Sequence, residues 1–158
     1  MLPEGRQCGT GTGWIIMAYD PSNIFARILR GEAPAHKVHE DEHTIAILDV
    51  MPQAEAHTLV LPKYPAEDLF DLPPDYAAAL MRTARHVAGG LRRAFAPDGI
   101  TVMQFNGAAA GQTVFHYHMH LLPRWEGRPL RSHGRGFADP EVLAEQAEKL
   151  RQALAAQG

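Results

Sequence analysis

The run Phe115-His116-Tyr117-His118-Met119-His120-Leu121 constrains this chain more than any other segment. Aromatic or apolar residues alternate with histidine without a break. In an extended strand, residues i, i+2 and i+4 share a face. The three imidazoles then point one way, and Phe115, Tyr117, Met119 and Leu121 point the other way, into a core. A helix would scatter the same residues around its circumference. The run therefore demands a sheet with something packed on its apolar face. Three titratable rings side by side repel one another when charged, so the row has a chemical rationale before a packing one.

The rest of the chain supplies what the strand needs. Short β-branched or aliphatic segments at 37–40, 44–50, 57–61, 100–105 and 114–122 predict further strands, joined by short links that favour an antiparallel meander. Pro73 and Pro74 open the longest helix. Leu80, Ala84, Val87, Ala88, Leu91 and Phe95 form its apolar face, and Pro97-Asp98-Gly99 ends it. Gly89 and Gly90 weaken it by about 1 kcal/mol each relative to alanine. A short helix follows Asp20-Pro21 and stops at Gly31. A C-terminal helix over about 139–156 is capped by Asp139, with Pro140 in its first turn. The expectation is one α+β domain over 17–158, an antiparallel sheet with one long helix. Residues 1–16 are expected to be a flexible extension, with Met17 as an alternative start.

Composition narrows the function. The 158 residues carry a net charge of -3, which gives no global basic field for nucleic acid. The lone cysteine, Cys8, closes no intrachain disulfide, which fits a reducing cytoplasmic setting. No apolar run reaches the roughly 20 residues that span a bilayer.

Imidazole offers two chemistries on such a row. It acts as acid or base near neutral pH, and it is a nucleophile that forms a labile phosphorus–nitrogen bond. Histidines two apart on a strand also suit zinc, so a metal-dependent hydrolase using the same rings stays open. So does a binding module without turnover. A lone strand histidine is more often a satisfied half-buried ring, but three at strict spacing of two are not explained that way.

His116-Tyr117-His118-Met119-His120-Leu121-Leu122 resembles the His-x-His-x-His-x-x signature of the histidine triad (HIT) family. The resemblance continues in Asn23-Ile24-Phe25, in 47–54 and 57–63, and in Asn106-Gly107 followed by 111–114, covering about 21–124. It implies a homodimer whose sheets join across the interface. It also implies cleavage or transfer at the α-phosphate of a purine nucleotide conjugate, either a phosphoramidate or a dinucleoside polyphosphate, through a nucleotidyl-histidine. His118 is then the nucleophile. His116 and His120 flank it and bind the phosphate, and His57 completes that pocket. Gln112 and Thr113 donate to phosphate oxygens, and Asp49 accepts from the ribose. Ile24, Phe25 and Ile47 sandwich the base, and Asn106 orients the loop or the leaving group.

Some family members hold structural zinc through two cysteines beside the Ile-Phe pair. Asn23 and Ala26 stand there in this chain, and His43 alone does not hold a metal. The expectation is no metal and no cofactor. Arg124, Arg128, Arg131 and Arg135 form either a solvated loop or a clamp for extra phosphates. His36, His39, His43, His86 and His133 are left as structural or surface residues.

Overall fold

The computed structural model describes residues 18–132 and 136–157. The expected N-terminal extension with Cys8 and Met17, together with His133 and Arg135, lies outside the described residues.

Among the described residues, eight helices and strands make the fold. They are α1 (Ile24–Leu29), β1 (Lys37–Glu40), β2 (Thr44–Leu48), β3 (Thr58–Pro62), α2 (Pro74–Phe95), β4 (Gly99–Met103), β5 (Met119–Arg124) and α3 (Pro140–Ala155). A single 3-10 turn, Ala108–Ala110, sits between β4 and β5. The five strands form one antiparallel sheet in the order β1-β2-β3-β5-β4. β1 to β3 run as a meander. The chain then crosses through α2 to the far edge, and β5 returns to fill the gap between β3 and β4. Among the described residues no helix is long and apolar enough to cross a membrane.

Alternation assigns the two faces of the sheet. Ala46, Leu48, Val60, Met119 and Leu121 point to the face covered by α2 and α3. There they meet Leu80, Val87, Leu91, Leu143, Leu150 and Leu154 in the main core. Gly90 lets the two helices touch. A Cβ there would meet Leu154 Cδ2 at 2.6 Å. The glycine that weakens α2 locally is therefore the one that allows α3 to dock. Ile45, Ile47, Leu59 and Leu61 point to the opposite face, where Phe25 of α1 packs on them with Ile28 and Val114 in a smaller cluster.

Several local expectations shift. The cap of α1 is Asn23, whose side chain accepts from Ala26 N at 2.9 Å. Asp20 instead accepts from Ser22 N and Oγ, closing the turn just before the helix. The expected strand at 114–122 pairs only from Met119 onward. Tyr117 N donates to Ala66 O at 2.8 Å, so the approach to β5 is pinned to a loop instead of to a neighbouring strand. Phe115 leaves the core and is 39% exposed. β2 ends at Leu48 and β4 at Met103, both earlier than expected.

Candidate active site

Strand register places the site. Ile47 pairs with Leu59, Leu59 with His120, and His120 with Met103. Directly paired residues share a face, so His120 stands beside the apolar residues under α1. His118 lies two residues earlier on that face. His57 lies two residues before Leu59, at the mouth of the β2–β3 turn, where Asp49 N donates to His57 O at 2.9 Å. Phe25 reaches down from α1, its ring 4.9 Å from that of His118 and 6.4 Å from that of His116. The three triad histidines therefore share one face, as the alternation requires.

Hydrogen bonds assign the protons on these rings. The His116 carbonyl can only accept, so His118 Nδ1 donates to it at 2.7 Å. The lone pair of neutral His118 is then on Nε2. The Pro62 carbonyl likewise accepts from His116 Nε2 at 2.9 Å. This leaves His116 Nδ1 to accept from the Tyr19 hydroxyl at 2.7 Å. Gln53 N–H donates to His57 Nδ1 at 3.1 Å, so His57 Nε2 carries the hydrogen and donates to His120 Nδ1 at 2.9 Å. The side chains are ordered into defined tautomers by backbone groups.

His116 differs from its partners. It is fully buried, and both ring nitrogens are engaged by Tyr19 and Pro62. Burial, with a small push from His118, pulls its pKa from 6.5 down to about 4 against the opposing effect of the Pro62 bond. It is a neutral ring at physiological pH. The structure brings His118 and His120 to the cleft and seals His116 behind them.

The cleft beside His118 has a volume of about 410 Å³. Ile24, Phe25, Ile47, Leu59 and Val114 make its apolar walls, with Asp49, Thr113, His118 and His120 as its polar side. A mainly apolar cleft with a few convergent polar groups is the usual form of a small-molecule site. Asp49 Oδ1 accepts from Met51 N at 2.8 Å, and its Oδ2 lies 3.5 Å from His57 Nδ1. The turn that holds these groups is strained at Ala56, whose φ of 56° lies in the left-handed region, a cost of about 1–2 kcal/mol for a residue with a Cβ. A second cleft, of about 530 Å³, adjoins the first across Ile24, Thr113 and Val114 and holds Asp20, Glu67 and Asp68.

Two expected site residues face inward. Gln112 Oε1 accepts from Gly107 N, its Nε2 donates to Glu67 O and Val114 O, and its own N–H donates to Gly107 O. Asn106 Oδ1 accepts from Leu69 N at 2.8 Å, and its amide exchanges bonds with Gln104. Both hold the 104–114 loop in shape, and Thr113 is left exposed at the cleft. Among the described residues, none of Arg124, Arg128 or Arg131 lines either cleft; Arg128 lies over the Trp125 ring near Glu55.

Sequence reasoning missed Tyr19, Phe105 and Phe137. The Phe105 ring lies 5.5 Å from that of His120. Phe137, 78% exposed, lines the cleft from the segment before α3, where Ala138 N donates to Val50 O. No local pattern marks these residues. Each reaches the site through a long-range contact.

Comparison with known proteins identifies the fold. A family model described as the HIT domain matches residues 30–127. This chain belongs to the HIT domain family. Among solved HIT structures, a Hit-like protein involved in cell-cycle regulation from Bartonella henselae is 44% identical, with a TM-score of 0.83 over 87% of this chain and 99% of that chain. A hypothetical histidine triad nucleotide-binding protein from Sulfolobus tokodaii is 32% identical, with a TM-score of 0.77 over 84% of this chain and 91% of that one. The adenylylsulfatase HINT3 of Arabidopsis thaliana is 35% identical over 116 residues, which is 70% of this HIT chain and 59% of that protein. The family thus includes nucleotide-binding proteins and at least one hydrolase.

Proposed function

We propose that this HIT protein is a nucleotide hydrolase or nucleotidyl transferase that cleaves purine nucleotide conjugates at the α-phosphate through a nucleotidyl-His118 intermediate. One observation carries the reading. The His118 Nδ1–H bond to the His116 carbonyl places the lone pair of the neutral ring on Nε2, and that ring lines an apolar cleft of about 410 Å³. Nε2 attacks phosphorus, the bond to the leaving group breaks, and water later cleaves the phosphorus–nitrogen bond to release the nucleotide.

The other residues take roles from their placement. Ile24, Phe25 and Ile47 hold the base, with Leu59 and Val114 beside them. Asp49 accepts from the ribose. His120, oriented by His57, and the exposed Thr113 donate to phosphate oxygens. His116 departs from the simplest expectation. With both nitrogens engaged it positions His118 through its carbonyl and does not touch phosphate. Gln112 and Asn106 hold the phosphate loop in place in the same indirect way. His118 supplies the nucleophile, so no metal is required for this route.

The protein acts as a homodimer in this reading, joined along β4. That strand is the last of the sheet, and Val102 on it and Met81 on α2 are more than half exposed. Its setting is the cytoplasm.

The test uses protein treated with EDTA, an adenosine phosphoramidate and diadenosine polyphosphates, with AMP release as the readout. Chelator-resistant release that disappears in His118→Ala is expected, and the faster substrate names the leaving group. Release that needs added metal supports the metal-dependent alternative instead. AMP binding without turnover supports the binding module.

A further inference from the structure

Asp49, His57 and His120 do more than surround the proposed phosphate site. A carboxylate oxygen of Asp49 and one nitrogen of each ring lie within 4.8 Å of one another, and all three residues are buried. Asp49 Oδ2 stands 3.5 Å from His57 Nδ1, a nitrogen that already accepts from Gln53 N–H. A metal ion on this ring would displace the Gln53 N–H from Nδ1 or take Nε2 instead, and either nitrogen belongs to a ring grouped with Asp49 and His120. The next nitrogen of the chain, His57 Nε2, is 2.9 Å from His120 Nδ1. Two imidazoles and one carboxylate form a donor set that suits zinc. Bonds of about 2.0–2.2 Å to zinc would draw the three groups closer with small side-chain shifts. Asp49 and His120 also line the cleft, so the coordination position left by three protein ligands opens toward it.

We infer that Asp49, His57 and His120 form an inhibitory zinc site, and that zinc and nucleotide exclude each other there. The exclusion rests on the proposed function, because it assigns Asp49 to the ribose and His120 to the phosphate. Zinc bound to those atoms removes both contacts and breaks the His57–His120 hydrogen bond. The nucleophile His118 is not a ligand, so the ion blocks substrate binding and leaves the nucleophile in place. The chemistry itself needs no metal, while a free divalent ion near the site turns it off. The site differs from the cysteine-based structural zinc that the resemblance led us to look for at Asn23 and Ala26.

Zinc titration of the EDTA-treated full chain, followed by calorimetry, tests this. One saturable zinc per chain is expected. Asp49→Ala, checked for folding by circular dichroism, weakens it at least about tenfold, whereas His43→Ala, at a half-buried ring outside the cleft, leaves it unchanged. Imidazole NMR of the wild-type protein keeps the test independent of any variant, with zinc moving the His57 and His120 ring signals and sparing His36 and His43. AMP affinity is measured first in EDTA, and AMP at saturation then weakens zinc binding. Absence of saturable zinc, equal binding in Asp49→Ala, or ring shifts confined to surface histidines overturns the site. Zinc binding indifferent to bound AMP overturns the exclusion. Failure of AMP to bind in EDTA brings down the nucleotide reading alone, and the zinc site is then decided by the variants and the NMR.

Discussion

The two faces of the sheet are built from the same five strands and do different work. On the α2–α3 face the inward positions are apolar apart from the hydrogen-bonded threonines Thr44, Thr58 and Thr83, and it is packed closely enough that a methyl at Gly90 has no room. On the α1 face the cluster is small and the helix has six residues. It leaves a cleft of about 410 Å³ beside two histidines. A large, closely packed face supplies stability, and a partly uncovered one with polar rings spends some of it, as burial of neutral His116. Positions on the first face should move stability and spare turnover. Positions lining the cleft on the second should act mainly on turnover.

The sharpest break of that comparison is His118→Ala. It should lower turnover by at least about a thousandfold, with thermal stability nearly unchanged. Leu150→Ala is its mirror image. It should cost about 2–5 kcal/mol of stability by chemical denaturation, while kcat/KM per folded molecule stays at the wild-type value. If Leu150→Ala also changed kcat, the division of labour between the faces would fail.

Acid should unfold the α1 face first. A histidine whose pKa is lower in the folded than in the unfolded chain stabilises the fold only while neutral. His116 therefore contributes fully above 6.5, and its contribution is lost as the pH falls toward about 4. The shift corresponds to about 3 kcal/mol. Asp41 holds the start of β2. Partial burial raises its pKa, but bonds from His43 N, Thr44 N and the Thr44 and Thr83 hydroxyls outweigh that and bring it from 3.8 to about 2. Its contribution is present above 3.8 and is lost only as the pH falls toward 2. Stability measured against pH should thus fall in the His116 window in wild type and less in His116→Gln. An identical profile in the variant would contradict the buried neutral ring.

Smaller effects sharpen the picture within the cleft. Asp49→Asn keeps the acceptor to Met51 N but loses the charge. It should raise KM roughly tenfold, about 1.4 kcal/mol, with kcat little changed. Tyr19→Phe removes the donor to His116 Nδ1. It should cost about 1 kcal/mol of stability and lower kcat more than it changes KM, because the His116 carbonyl orients His118.

How much of this was legible follows from the range of each interaction. The period of two over 115–121 fixed which face each histidine takes, and the Pro74 start, 3.6-residue period and Asp139-Pro140 cap marked α2 and α3. These are local signals. Asn23 and Asp20 are both capping residues, and only the folded turn decides that Asn23 caps α1. Insertion of β5 between β3 and β4 is a long-range pairing with no local mark. The triad was read as the nucleophile His118 between two phosphate-binding rings, yet the tautomers depend on Tyr19, Pro62 and Gln53, which approach from other segments. Gln112 and Asn106 were found as site residues by resemblance, but only the folded loop reveals that their side chains point inward.

The most direct test of the central claim is to mix EDTA-treated protein with an adenosine phosphoramidate, quench within one turnover at alkaline pH, and map the adduct by mass spectrometry. The account predicts one adenylyl group on His118 that forms and decays at the rate of AMP release and is absent in His118→Ala. Steady release of AMP with no adduct on His118, or with an adduct on another residue, would contradict it.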